Sequence, residues 1–269
     1  MWLRHRGEIM SAITENRKAL LISPELCIGC RGCQTACKNW NQLPGQKTKN
    51  YGTMQNPPDL TPSAFNIIRY NEVPSDTNAV RWLFVSRRCM HCGDAGCMKI
   101  CPAPGAIYRT KDGAVAYDKD KCIGCKLCVA GCPFDVPRYD AQGKISKCHL
   151  CFDRIADGLS PACAKTCPTG AIRFGDRDAL IDTAKKAGYA KVYGEADLTG
   201  LGTLYAFKDA PKIYGMNENP AIPESIIFWN TVLKPLAVIG LGGVVAGALL
   251  HYVTIGPHKD ADEEVKKHE

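Results

Sequence analysis

Sixteen of the 269 residues are cysteines, and they fall into four groups of four: Cys27, Cys30, Cys33 and Cys37; Cys89, Cys92, Cys97 and Cys101; Cys122, Cys125, Cys128 and Cys132; Cys148, Cys151, Cys163 and Cys167. This grouping constrains the fold more than any other feature. A disulfide framework belongs to a short secreted chain with dispersed cysteines, whereas here neighbours at i and i+3 recur in every group. Structural zinc prefers two CxxC knuckles a dozen or more residues apart. CxxCxxC instead puts three thiolates on one tight loop, with a fourth cysteine just beyond.

The first and third groups are C-x2-C-x2-C-x3-C, and three groups end in Cys-Pro (Cys101-Pro102, Cys132-Pro133, Cys167-Pro168), the signature of bacterial two-cluster ferredoxins. Only Cys37 departs, being followed by Lys38. Three cysteines of such a loop wrap one [4Fe–4S] cube, and the fourth serves its neighbour. The proline suits the sharp exit because it fixes φ and needs no N–H partner. The last group is then the same motif with eleven residues inserted between Cys151 and Cys163. The expected ligand sets are Cys27, Cys30, Cys33 with Cys167; Cys148, Cys151, Cys163 with Cys37; Cys89, Cys92, Cys97 with Cys132; and Cys122, Cys125, Cys128 with Cys101. "CPAPGAI" from Cys101 is echoed by "CPTGAI" from Cys167, so each Cys-Pro is expected to feed a short strand. "IYRTKDGAVAY" places two β-rich runs around Asp112-Gly113, a hairpin signal. The fold class is therefore α+β: two nested ferredoxin-like modules carrying four [4Fe–4S] clusters, plus one C-terminal transmembrane helix. The inner module spans 89–147 and the outer one 18–88 with 148–225.

The formal charge of +7 counts the thiols as neutral. Ligation adds about −16, and four oxidised cores return about +2 each, leaving roughly −1, so the basic excess is internal compensation and not a nucleic-acid footprint. Arg87 and Arg88 either raise a nearby cluster's potential or form a solvated basic pair. His91 and His149 lie inside CxxC knuckles, but four complete sets of cysteines leave them the role of hydrogen-bond partners rather than ligands. His5, His258 and His268 carry no signal.

Residues 1–17 form a mixed-charge, helix-compatible extension with no apolar signal-peptide core and no twin-arginine pair. "KALLIS" reads as a strand, and "NWNQLPGQKTKNYGTMQNPPDLTPSAF" as an extended surface loop that is either a simple insertion or a docking surface. "DRDALIDTAKKAG" reads as an amphipathic helix with Asp176 as N-cap, an Asp182–Lys186 pair and Gly188 as terminator. Residues 226–255 are apolar and long enough to span a bilayer, with Trp229 and Tyr252 as interfacial anchors, Lys234 able to snorkel, and a GxxxG step from Gly243 to Gly247. His251, near the end of the span, reads as an interfacial polar residue. Residues 256–269 form a polar tail.

No nucleotide-phosphate loop, nucleophile triad or open metal site is visible, so the chain itself reads as non-catalytic. "CIGCRGCQTACKNWN", "CMHCGDAGCMKICPAPGAI", "KCIGCKLCVAGCPFDVPR", "ACAKTCPTGAIRFG" and "FWNTVLKPLAVIG…HYVTIGP" resemble the iron–sulfur β subunit of membrane-bound respiratory formate dehydrogenases of the formate dehydrogenase-N type. The resemblance covers about Lys18 to Glu264, and the loop "YGTMQNPPDLTPSAFNIIRYNEV" with the tail helix carries its specific part. It implies electron transfer through four [4Fe–4S] clusters, from a molybdopterin or tungstopterin catalytic α subunit to a membrane cytochrome b γ subunit and quinone. It further implies a hetero-oligomer on the cell inner membrane, with the cluster domain periplasmic and the tail cytoplasmic. Lys259, Lys266 and Lys267 agree with that orientation. By the same resemblance, the set holding Cys27 faces the catalytic subunit and the set holding Cys125 faces the haem. The alternatives are a four-cluster subunit of a membrane hydrogenase or another molybdopterin oxidoreductase and, in a different class, a structural zinc protein.

Overall fold

The computed structural model describes residues 17–74 and 79–256. In chain order its elements are β1 (Lys18–Ile22), α1 (Gly32–Trp40), β2 (Ile67–Pro74), β3 (Val80–Arg87), α2 (Gly96–Lys99), β4 (Ile107–Arg109), β5 (Val115–Tyr117), α3 (Leu127–Ala130), β6 (Arg138–Tyr139), β7 (Ile145–Ser146), α4 (Phe152–Ala156), α5 (Ala162–Lys165), β8 (Ile172–Asp176), α6 (Arg177–Lys186), β9 (Thr203–Tyr205), α7 (Glu224–Phe228) and α8 (Lys234–Ile255). The chain divides into two units at Pro223 and Glu224.

In the first unit β1 lies in the middle of a three-stranded sheet ordered β8-β1-β9. A central strand is covered on both faces, which is why "ALLI" is apolar without alternation. Ala19 and Leu21 face α6, which returns Leu180, Ile181 and Ala184. Leu20 and Ile22 point the other way, into a core that includes Cys33 and Cys163. β1 pairs antiparallel with β8, Ile22 opposite Ile172 and Lys18 opposite Asp176. The strand preceding the first cysteine group is thereby hydrogen-bonded to the strand following the last. The inner hairpins are small: β4 pairs β5 through the turn at Asp112-Gly113, and β6 pairs β7.

Asp176 stands at the N-cap of α6 in extended conformation, but its side chain makes no capping bond. Its carboxylate instead takes Lys18 at 2.6 Å. The expected Asp182–Lys186 pair does not form; Lys185 reaches Glu195 at 2.5 Å.

The stretch read as an extended loop is irregular through residue 65, but the loop does not run on to Cys89. β2 and β3 form an in-register antiparallel hairpin from Ile67↔Arg87 to Pro74↔Val80. Its Tyr70, Trp82 and Phe84 pack edge to face. Tyr70 donates its hydroxyl to the Gly29 carbonyl at 2.5 Å and accepts Arg31 Nε at 2.9 Å, bracing the first cysteine loop.

Arg17 is the last residue of the stretch read as an extension. Arg17 is buried, and its guanidinium donates to the carbonyls of Thr199, His91 and Gly200 at 3.2, 3.2 and 3.1 Å. Residues 1–16 and the tail from 257, with Lys259, Lys266 and Lys267, lie outside the described residues.

The second unit is helical: α7, one π turn over Trp229–Leu233, then α8. The π turn has a local cause in Pro235, whose ring cannot accommodate the carbonyl four residues back. Lys234 N–H reaches the Trp229 carbonyl instead. α8 has 22 residues, and an 18-residue stretch within it has a mean hydropathy of 2.0. At 1.5 Å per residue that is about 33 Å, the thickness of a bilayer's hydrocarbon core.

Candidate cluster sites

The four CxxC turns share one backbone device. The residue before the second cysteine is left-handed in every turn: Gly29 at φ 66°, His91 at 48°, Gly124 at 73° and Leu150 at 63°. Arg31 and Lys126, which follow the second cysteine in the first and third groups, are left-handed as well, at 59° and 63°. Successive turns of this kind aim backbone N–H groups at a common centre and make an anion-binding concavity. Gly32 N–H lies 3.5 Å from Cys30 Sγ, and Leu150 N–H 3.4 Å from Cys148 Sγ. His91 and Leu150 are held in a conformation that side chains disfavour, as happens where surrounding structure imposes it.

Cys27, Cys30, Cys33 and Cys167 line one cleft. Cys101, Cys122, Cys125 and Cys128 line another. The remaining eight cysteines also converge in two sets. Burial raises the Cys37 thiol well above its ordinary pKa, and Cys148, Cys163 and Cys151 beside it raise it further. Burial likewise raises Cys92, with Cys89, Cys132 and Cys97 as its charged neighbours. Cys163 and Cys167, four residues apart, thus serve different sets.

The sets lie in a line: Cys33 and Cys163 share one packed hydrophobic cluster, Cys148 and Cys89 a second, and Cys97 and Cys128 a third. The exposed cysteines are Cys30 and Cys125, one in each end set, while the two middle sets are buried or partly buried throughout. The last contact is close because α2 meets α3 at two glycines. A Cβ on Gly96 would stand 2.2 Å from the Gly131 carbonyl oxygen.

Of the pair Arg87–Arg88, neither is simply solvated. Arg87 pairs with Asp59, whose other oxygen takes Arg138 at 2.7 Å. Arg88 is 1% exposed, and its Nη1 donates to Cys163 Sγ at 2.7 Å. Burial opposes its charge, but Cys163, Cys33 and Cys148 outweigh burial and raise its pKa. His91 is also buried; its Nδ1 accepts Val115 N–H at 3.1 Å, which leaves Nε2–H to face Cys148 Sγ at 3.6 Å. His149 bonds Asn41 at 2.5 Å. Neither histidine joins a cysteine set. Sequence reasoning passed over Lys147, 2% exposed, whose Nζ donates to the carbonyls of Val115 and Cys148 and faces Cys89 Sγ at 3.8 Å. Its one signal is position, directly before Cys148. Tyr139, with its hydroxyl 3.0 Å from Cys128 Sγ, carried none.

Soft thiolates in fours are the donor set of Fe–S clusters or zinc. Among the described residues no three His, Cys, Asp or Glu side chains close on a point as a single ion requires. Four thiols around a cleft suit a multi-atom cube, and the N–H groups aimed at them suit its sulfurs.

Models of 4Fe-4S dicluster domains match residues 26–106 and 80–177. A model described as "Formate dehydrogenase N, transmembrane" matches residues 222–264. The chain is 41% identical over 264 residues to the formate dehydrogenase-O iron-sulfur subunit of Escherichia coli (strain K12), covering 93% of this chain and 88% of the relative. It is 40% identical to the formate dehydrogenase iron-sulfur subunit of Haemophilus influenzae, over 93% of this chain and 85% of the relative. This chain belongs to the family of formate dehydrogenase iron–sulfur subunits. A weaker match, 35% over 66% of this chain and 59% of the relative, is to the Hydrogenase-2 operon protein HybA of Escherichia coli O157:H7. The two dicluster matches and sixteen cysteines fit four [4Fe–4S] clusters. Relatives named as iron–sulfur subunits are distinct from a catalytic subunit, and α8 with the transmembrane match makes this a membrane-anchored member of the family.

Proposed function

We propose that the chain relays electrons within a membrane-bound formate dehydrogenase, from a molybdopterin or tungstopterin α subunit to a cytochrome b γ subunit and so to quinone. The supporting observation is the line of four cysteine sets with an exposed cysteine only in its end sets. A line buried in the middle and open at its ends is what a conduit between two partners needs.

Each set of four thiolates would hold one [4Fe–4S] cluster: Cys27, Cys30, Cys33 and Cys167; Cys37, Cys148, Cys151 and Cys163; Cys89, Cys92, Cys97 and Cys132; Cys101, Cys122, Cys125 and Cys128. A bound cluster supplies one-electron chemistry with little rearrangement. The chain supplies the rest: the turns fix the thiolates, backbone N–H groups meet the sulfurs, and the packed core keeps water from the two middle sets. The helix would cross the cell inner membrane once, with the first unit on the periplasmic side.

Formate added to the purified complex is expected to bleach the iron–sulfur absorption and reduce a quinone, with about sixteen iron and as many labile sulfides per chain. A complex that holds the iron yet transfers nothing from formate, and copurifies with a hydrogenase large subunit, would favour the second reading that the HybA match supports.

A further inference from the structure

The four cysteine sets meet at three contacts, and two of these contain a fully buried cation. Arg88 lies where Cys33 of the first set approaches Cys163 and Cys148 of the next. Its Nε donates to Ser86 Oγ at 3.1 Å; Ser86 Oγ in turn donates to Asn66 Oδ1 at 2.5 Å, and Tyr205 holds the Ser86 carbonyl at 2.7 Å. The guanidinium is thus fixed in orientation. Lys147 lies at the next contact, between Cys148 and Cys89. Its Nζ faces three acceptors, the Val115 and Cys148 carbonyls and the Cys89 sulfur, which use the three N–H bonds of an ammonium. Among the described residues no carboxylate lies in ion-pair range of either. The third contact, Cys97 to Cys128, has glycine backbones and the neutral Tyr139 hydroxyl instead.

A buried cation is tolerated only beside compensating negative charge. Here the groups able to supply it are the ligating sulfurs. The converse holds as well: an added electron makes a cluster more negative, which burial disfavours, and a fixed cation or N–H to sulfur favours. The two middle sets are the ones most removed from water.

We propose that Arg88 and Lys147 are potential-setting residues: they raise the reduction potentials of the clusters at the two contacts they occupy, offsetting the penalty that burial places on the interior of the electron path. Arg88, bonded to the Cys163 sulfur, acts most on the set holding Cys37, Cys148, Cys151 and Cys163, and Lys147, facing the Cys89 sulfur, acts most on the set holding Cys89, Cys92, Cys97 and Cys132; the set holding Cys125 touches neither. This rests on the four-cluster reading above and adds to it which side chains tune which clusters.

The test is a potentiometric titration of the intact complex, followed by EPR and visible absorption, with the Cys125 cluster identified by its altered signal in Cys125→Ser. Arg88→Gln and Lys147→Gln are each expected to shift part of the titration to lower potential while leaving the Cys125 cluster in place. Arg88→Lys and Lys147→Arg, which keep the charge, are expected to titrate close to wild type. Unmoved potentials in iron-loaded Gln variants overturn the proposal, as does an equal shift of all four clusters. Should the Gln variants fail to take up iron, the charge-keeping pair decides: wild-type potentials support the proposal and a downward shift overturns it. Wild-type complex lacking about sixteen iron would instead defeat the four-cluster reading itself, a separate outcome.

Discussion

Gly96 and Gly131 touch backbone to backbone: a Cβ built on Gly96 would lie 2.2 Å from the Gly131 carbonyl oxygen, and one on Gly131 would lie 2.7 Å from the Gly96 oxygen. The short helices α2 and α3 carry Cys97 and Cys128, so this contact sets the distance between the inner pair of sites. Gly96→Ala is expected to force the helices apart and cut iron from about sixteen to about eight per chain, the outer pair surviving. Full iron content in Gly96→Ala would show that the loops can yield.

Arg17 secures the start of β1 to the second cysteine turn and to the segment leading into β9 through the carbonyls of His91, Thr199 and Gly200. Arg17→Ala removes a donor from three carbonyls, of which those of His91 and Gly200 keep a backbone N–H, and leaves a space where the guanidinium was buried. A loss of roughly 2 kcal/mol is expected, read as a lower guanidinium midpoint for the decay of visible absorption. Arg17→Lys, reaching one carbonyl at most, is expected to recover only part of it. A midpoint equal to wild type in Arg17→Ala would make the contact incidental.

How much of this could be read from residues follows from what each feature depends on. The strand at Lys18–Ile22, the hairpin around Asp112-Gly113, the helix at Arg177–Lys186 and the apolar span depend on local pattern, and local pattern was enough. The β2–β3 hairpin was missed because the sequence between its strands, "SDTNA", holds no Asn-Gly or Asp-Gly pair, although "VRWLFVSR" is rich in strand formers. Grouping of the cysteines is a spacing property and was visible. The burial of Arg88, Lys147 and Arg17 is not, because each is surrounded by residues from distant parts of the chain, and a basic residue beside a cysteine looks the same in sequence whether it faces water or sulfur.

Asp59 joins Arg87 and Arg138, and so ties the irregular loop to the hairpin and to the inner module. Burial pushes its carboxyl up, but the Leu60 N–H, Arg138 and Arg87 outweigh burial and hold it below its ordinary value. A carboxyl lowered in the folded state contributes stability that is fully present above the ordinary carboxylate range and lost only as pH falls through the lowered value. Asp59→Asn is therefore expected to cost about 1 kcal/mol, with the same deficit throughout about pH 6 to 8. Denaturant unfolding at several pH values checks this; a deficit that changes across that window would mean another group is titrating.

Truncation after Pro223 removes the second unit, including the 22-residue apolar helix. The first unit contains all sixteen cysteines and is expected to keep its iron but to separate from membranes on sedimentation. A Gly243→Leu, Gly247→Leu pair tests the helix more gently: it keeps the span apolar while filling the positions that permit close helix approach, so the chain should stay on the membrane and release a helical partner. Continued sedimentation and unchanged quinone reduction by the truncated complex would make the helix dispensable.

The two ends of the line of sites are separable by where electrons stop. Cys30 and Cys125 are the exposed cysteines of the end sets, and the sets are linked in the order Cys33 to Cys163, Cys148 to Cys89, Cys97 to Cys128. If the Cys30 set receives electrons from the catalytic subunit, Cys30→Ser blocks entry, and the other clusters stay oxidised under formate. Cys125→Ser blocks exit: formate still reduces the upstream clusters and an artificial dye, while the haem and quinone remain oxidised. The readout is EPR of complexes frozen after mixing with formate, with iron content confirming that only the altered site is disturbed. The opposite pattern, prompt cluster reduction in Cys30→Ser and none in Cys125→Ser, would reverse the direction while leaving the line itself intact, because the neighbour relations among the sets do not depend on which end is filled first.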